Sequence, residues 1–280
     1  GCFVNLQGEV YVTGVFSGSS FAGVAKTLAV PGYVAKLDSS GNLIFAKEVD
    51  IGFLTNVFGS YMDGDDNVYI VGMTTGSFPG FQNQGGQDAL VVKVNSTGDK
   101  QWESLSGTPA EDVFYGVALK QSLELVMAGS TGGSFPGFTN MNGNGASDVL
   151  VVSHPVYAPT PSPTPEPTAT PTTPTAEPTA VPTAPTATPT AEPTPAPTTL
   201  TPTAVPSSTP TMGPDINKYF HVGTAGNDFF NSIAVDSLDN VYAVGMTTGN
   251  VGGTAYGNAD ALMVKYEGST WNINNTIQVG

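Results

Sequence analysis

Asp63-Gly-Asp-Asp-Asn67 is the run in this chain best equipped to hold a metal. Its D-x-D-x-N spacing could set the hard oxygens of Asp63, Asp65 and Asn67 around Ca²⁺, as in the first half of an EF-hand loop. The sixth position is Val68 rather than glycine, and no closing glutamate follows. The same stretch also reads as a turn whose Asx side chains accept backbone N–H groups, and that is the expected role. No other cofactor is expected. For acid–base or nucleophilic chemistry the chain offers only two histidines, His154 and His221. It has no Gly-x-Ser-x-Gly elbow, no His-x-x-x-His pair and no glycine loop ending in Gly-Lys-Ser/Thr. Both histidines fall at strand ends, where a surface position is expected, so the chain is not expected to be an enzyme. Cys2 stands alone, which excludes an internal disulfide and a cysteine-based zinc site.

Charge narrows the partners. Eight basic and 23 acidic residues leave 8 − 23 = −15, and every basic residue is a lysine. An acidic chain without arginine is poorly equipped to neutralise or grip phosphates, so nucleic acid is not an expected partner. No apolar run approaches the length of a membrane span. Asn95-Ser-Thr97 and Asn274-Asn-Thr276 are N-glycosylation sequons, short enough to recur by chance.

The elements that carry these residues repeat. Val10-Tyr-Val-Thr-Gly14, Val68-Tyr-Ile-Val-Gly72, Leu125-Val-Met-Ala-Gly129 and Val241-Tyr-Ala-Val-Gly245 align. A second anchor follows in Asp88–Lys93, Asp148–Ser153 and Asp260–Lys265, with Gly32–Lys36 in that place in the first unit. Gly107–Ser130 and Gly223–Met246 align without a gap. Each unit reads as four short strands. In the second these lie near 56–62, 68–71, 89–94 and 101–105, separated by clusters of Asp, Asn, Gly and Thr. Four strands per repeat, none able to bury its own faces, predict the blades of a β-propeller: an all-β fold of about four units in a partial ring. In that setting the recurring Asp88, Asp148 and Asp260 are expected to satisfy turns. Lys36, Lys93 and Lys265 are expected to solvate strand ends. Phe78, Phe81, Phe135 and Phe138 could stack on sugars, but packing between blades is the expected role.

The pattern of Ile233-Ala-Val-Asp236, Asn240-Val-Tyr-Ala-Val-Gly245, Ser77-Phe-Pro-Gly80, Ser134-Phe-Pro-Gly137, Asp88–Lys93 and Trp102 resembles the SBBP family, the seven-bladed β-propeller repeat. The resemblance extends over nearly all of residues 1–154 and 215–280. It departs from the pattern at Lys120, which stands where the fourth unit has Asp236, and at Ser153, which replaces the lysine of the third strand. The first unit also lacks the Phe-Pro loop. Such a resemblance implies a secreted or surface-exposed repeat protein and defines no reaction.

Between the repeats composition changes abruptly. Nineteen of the 23 prolines lie in 155–214, a Pro/Thr-rich stretch with almost nothing apolar to bury. It is expected to be a disordered stalk tending to polyproline II, reaching on the order of 150 Å at about 3.1 Å per residue. Its composition suits an O-glycosylated stalk or an unmodified linker. The third unit reaches the stalk without a fourth strand, and 216–222 occupies that strand's position afterwards. The stalk is then either a long loop inside one blade or a linker between two propellers. The second is expected, because loops this long inside compact domains are uncommon. The organisation is therefore repeats at 1–154, stalk at 155–214, and a fourth repeat at 215–280 opening a second propeller.

Together these features predict an extracellular or cell-surface scaffold, structural or adhesive, for a glycan, a cell-wall polymer or a protein. The alternatives are a secreted polysaccharide-active enzyme whose catalytic residues lie in this propeller or in sequence outside this chain, and a calcium-stabilised scaffold.

Overall fold

The computed structural model describes residues 1–16, 18–26, 32–49, 54–136, 139–140, 146–156, 218–251, 254–255 and 257–280. Most of the Pro/Thr-rich stretch, and Phe138, lie outside them. The described residues form strands and turns without a helix, so no helix among them is long and apolar enough to cross a membrane.

Four sheets of four antiparallel strands follow one another along the chain, and none closes on itself. The first holds β1 (Cys2–Val4), β2 (Val10–Val15), β5 (Gly32–Leu37) and β6 (Leu43–Val49), with a small hairpin of β3 (Ser20–Phe21) and β4 (Val24–Ala25) between β2 and β5. The second holds β7 (Leu54–Met62), β8 (Val68–Thr74), β9 (Asp88–Val94) and β10 (Lys100–Ser106). The third holds β11 (Asp112–Leu119), β12 (Glu124–Thr131), β13 (Asp148–Pro155) and β14 (Lys218–Val222). The fourth holds β15 (Asp228–Val235), β16 (Val241–Thr247), β17 (Asp260–Tyr266) and β18 (Ile273–Val279). This is a partial β-propeller of four blades.

The third sheet corrects the expectation of a second propeller. β14 pairs antiparallel with β13, Val149 opposite Val222 through Ser153 opposite Lys218. The stretch between them is thus inserted in one blade, and 1–157 and 210–280 belong to a single compact unit. The physical reason is edge satisfaction. Without β14, the N–H and C=O groups along the outer side of β13 would lie unpaired on a buried strand.

Successive blades stack face to face. β11 packs across β7, β8 and β9, and β15 across β11, β12 and β13. Each junction buries its own core. Tyr11, Val34, Ile70 and Leu90 lie between the first and second blades, and Val71, Val91, Met127 and Leu150 between the second and third. Ala128, Val151, Phe230 and Leu262 lie between the third and fourth. The apolar runs of β8, β9, β12 and β13 follow directly, because these strands are covered on both faces.

The recurring glycine of the second strands has a local cause. In β7, β11 and β15 a bulge shifts the register, at Val57/Gly59, Phe114/Gly116 and Phe230/Ser232. A Cβ at Gly72, Gly129 or Gly245 would collide with the carbonyl oxygens of Asn56, Val113 or Phe229 on the bulged strand.

Candidate functional site

The turns closing the first two strands of each blade share one design. Five residues enclose a left-handed position, Gly8, Asp66, Leu123 or Asp239, with φ of 78°, 61°, 58° and 62°. In the first, second and fourth blades the first residue of the turn, Asn5, Asp63 or Asp236, supplies a side-chain acceptor, whereas in the third that residue is Lys120. Asp63 Oδ1 takes the N–H groups of Asp65 at 3.0 Å and Asn67 at 2.9 Å. Its Oδ2 takes the Asn67 amide at 3.0 Å and the Tyr69 hydroxyl at 3.1 Å. Asp236 repeats the arrangement with Asn240 and Tyr242, and the Asn240 amide, with backbone N–H groups and Tyr242 helping, lowers its carboxyl to about 2. The structure therefore places Asp63, Asp65 and Asn67 in one turn with the Asp63 carboxylate already hydrogen-bonded. Among the described residues no group of three His, Cys, Asp or Glu side chains is arranged to hold a metal ion. Asn95 heads an analogous turn, its Oδ1 accepting from the Thr97 hydroxyl at 2.8 Å and the Asp99 N–H at 2.8 Å. Asn274 is exposed on the outer strand β18.

A second set of acids is buried at the opposite ends of these strands. Asp112, Thr131 and Asp148 stand side by side across the third blade, and Asp228, Thr247 and Asp260 across the fourth. Thr108 gives Asp112 Oδ2 its N–H at 2.6 Å and its hydroxyl at 2.8 Å, and Thr224 serves Asp228 in the same way. Burial pushes the Asp112 carboxyl up to about 6, and the nearby charge of Asp88 adds to that push against the Thr108 hydrogen bonds. Each acid of the third strands has a different partner: Asp88 the Gln84 N–H, Asp148 the His221 ring, Asp260 the Gln278 amide.

The histidines correct the expectation of surface positions. His154 is fully buried and stacks on Trp102, ring centroids 5.2 Å apart. His221 Nε2 lies 2.6 Å from Asp148 Oδ2, both side chains enclosed. β13 is an interior strand and β14 the outer strand of a sheet stacked between two others, so Trp102 of the second blade covers His154, and His221 closes onto Asp148 of its own blade. Phe78 and Phe135 are buried as well, Phe135 stacking on Tyr219 at 4.5 Å, while Phe81 is half-buried against the same core as Phe78.

Two of the departures from the repeat, Lys120 and Ser153, meet at one place, the rim between the third and fourth blades. Lys120 is enclosed there, its Nζ 2.6 Å from Glu124 Oε2, 2.8 Å from the Gly268 carbonyl and 4.4 Å from the Trp271 ring centroid. Glu124 also accepts from the Ser153 hydroxyl and lies 3.9 Å from Lys218. Burial raises the Glu124 carboxyl, but the Lys120 and Ser153 hydrogen bonds and the two lysine charges outweigh it and hold it below its ordinary value. Asp239 Oδ1 and Oδ2 take the N–H groups of Gln121 at 2.6 Å and Ser122 at 3.1 Å, clasping one blade's turn to the next. Trp271 has φ of 62° where the first and second blades have Gly41 and Gly98. Phe220 stacks on it at 4.1 Å. With Phe220 and Lys120 both against the ring, Trp271 is only 7% exposed. Around this network an open pocket of about 350 Å³ is bordered by Ser122, Lys218, Leu238 and Ser269. The sequence flagged Lys120 and Ser153 as departures, but gave no sign of Asp239 or Trp271 as their neighbours.

A model of the SBBP family, Beta-propeller repeat, matches residues 222–253. The chain carries an SBBP β-propeller repeat. The matched segment runs from the end of β14 through β15 and β16 and beyond, and the other SBBP-like units reproduce its strand order and its turn. No curated protein matches the chain.

Proposed function

We propose that this SBBP-repeat chain is a non-catalytic scaffold of the cell exterior that binds a glycan or wall polymer at the rim pocket between its third and fourth blades. The observation that carries this reading is how the side chains capable of chemistry are used. His221 is held by Asp148, and Lys120 by Glu124 and the Gly268 carbonyl, so each braces strands or blades rather than facing a reactant. The pocket mouth instead presents the exposed ammonium of Lys218, the serines 122 and 269, and the exposed Leu238. Those groups suit a polymer carrying hydroxyls and carboxylates. Trp271 is buried and leaves little ring for sugar stacking, so recognition rests on polar contacts.

The test is depletion of the chain from solution by insoluble acidic wall polysaccharide, with soluble reducing ends assayed in the same tubes. Binding without sugar release, weakened several-fold by Lys218→Ala, is expected. Release of soluble sugars would make the chain an enzyme. Binding indifferent to Lys218 would move the site elsewhere, and capture only by a protein partner would remove the glycan.

A further inference from the structure

The rim pocket between the third and fourth blades discriminates among acidic ligands, because its charged groups differ in what they can offer. Of the two lysines that border it, Lys120 is 2% exposed and bonded to Glu124 and the Gly268 carbonyl. Lys218 is 54% exposed and 3.9 Å from Glu124 Oε1, so its ammonium is open to solvent. The pocket therefore offers a ligand one ammonium, enough for one carboxylate.

The charges around that ammonium are mostly negative. Asp239 borders the pocket, its two oxygens turned to the Gln121 and Ser122 N–H groups. Asp236 and Glu267 head the two turns that supply Leu238, Asp239, Gly268 and Ser269 to the pocket wall. Asp236 accepts from the N–H and side-chain amide of Asn240, and Glu267 from the Thr270 hydroxyl. Lys265 lies near both, its ammonium over the Tyr242 ring. Glu124, Asp236, Asp239 and Glu267 against Lys120, Lys218 and Lys265 leave this rim negative, on a chain whose formal charge is −15. Like charges a few ångströms apart repel even in water, so a second anionic group beside the first is penalised here.

The remaining contacts are neutral. Ser122 and Ser269 are exposed at the mouth and suit sugar hydroxyls. Leu238 is 78% exposed beside them, and covering it favours a ligand that carries a methyl group. On sugars that group is commonly an acetyl. The pocket volume of about 350 Å³ lies at the small end for ligand sites and suits a short stretch of chain.

We propose that this pocket recognises an unsulfated glycan in which a uronic acid alternates with an N-acetylated hexosamine. The uronate carboxylate pairs with Lys218, the acetyl methyl packs on Leu238, and the two serines take hydroxyls. The inference rests on the glycan reading of the same pocket and adds a rule of charge spacing: one carboxylate per disaccharide is accepted, and a sulfate on the neighbouring sugar is rejected.

The test is fluorescence anisotropy of end-labelled oligosaccharides of equal length, titrated with the full chain. The probes are unsulfated chondroitin, chondroitin sulfate, an N-acetylglucosamine oligomer and oligogalacturonate. Unsulfated chondroitin is expected to bind several-fold tighter than each of the others. Added salt should narrow its lead over chondroitin sulfate, because the repulsion is screened. Lys218→Ala should bring chondroitin down to the level of the N-acetylglucosamine oligomer and leave that oligomer unchanged. Leu238→Ser should weaken both acetylated probes and spare oligogalacturonate. Chondroitin sulfate binding as tightly as chondroitin overturns the charge-spacing rule. Oligogalacturonate matching chondroitin, or indifference to Leu238→Ser, overturns the acetyl contact. Each of these results leaves a glycan site in place. If no probe binds while insoluble acidic wall polysaccharide still depletes the chain, this inference alone falls. Failure in both assays removes the glycan reading with it.

Discussion

Lys120→Met removes the ammonium at the third-to-fourth blade rim while keeping most of the stem that packs there. The wild-type side chain is 2% exposed and that of Glu124 19% exposed, so the pair lies largely out of water. Removing one partner of a buried pair costs about 3–5 kcal/mol, mostly because the other charge is left behind. Glu124 is not wholly abandoned, since Ser153 still donates to it and Lys218 sits 3.9 Å away. The expected loss is therefore about 2–3 kcal/mol, below that range. Two losses specific to this site are included: the bond to the Gly268 carbonyl and the contact over Trp271, both of which cross to the fourth blade. The assay is urea unfolding at pH 7 followed by tryptophan fluorescence. Lys120→Met/Glu124→Gln should regain most of the loss, to within about 1 kcal/mol of wild type, because no uncompensated charge remains. A single variant indistinguishable from wild type, or a double variant no better than the single, would refute the idea that this ion pair braces the two blades.

Two more outcomes follow from the acids. Asp112 ionises near pH 6 in the folded chain against an ordinary value of 3.8. A folded value above the unfolded one means that the native state holds the proton more tightly. Its stabilising contribution is complete below about pH 4 and is lost as the pH rises through 6, worth about 2–3 kcal/mol. Asp112→Asn, whose side-chain oxygen can still accept from Thr108, should flatten this part of the stability profile between pH 4 and 7, and an unchanged profile would remove Asp112 from the account. For calcium, the Asp63 oxygens already serve Asp65, Asn67 and Tyr69. Millimolar Ca²⁺ or EDTA should leave the melting temperature within about 1 °C, whereas a rise with Ca²⁺ abolished by Asp63→Ala would show that the turn binds the ion.

The strands and turns were legible because they are local. Alternation and apolar runs marked strands such as β8 and β9, and the Asx and Gly clusters marked the turns between them. The topology around the stalk was not legible, because β14 has the same pattern whether it completes the third sheet or opens another. Pairing Ser153 with Lys218 is a contact over dozens of residues that no local signal records. The histidines were misplaced for a related reason. Their position at strand ends was right, but burial there depends on the neighbouring blade, which covers His154 with Trp102. At the rim pocket the sequence gave the anomalies and not their meeting point. Asp239 reaches Gln121 and Ser122 across more than a hundred residues, and Trp271 occupies a turn position whose equivalents are glycine.

The central structural claim is that one blade contains the Pro/Thr-rich insertion, so residues on both sides of it belong to a single folded unit. Its most direct test is to place a specific protease site at Ala184, cut to completion, and run the product on a sizing column without denaturant. The account predicts that 1–183 and 184–280 elute together at the position of the uncut chain, held by the β13–β14 pairing and the core between the third and fourth blades. Two separate folded fragments would contradict it and restore the picture of two modules on a linker.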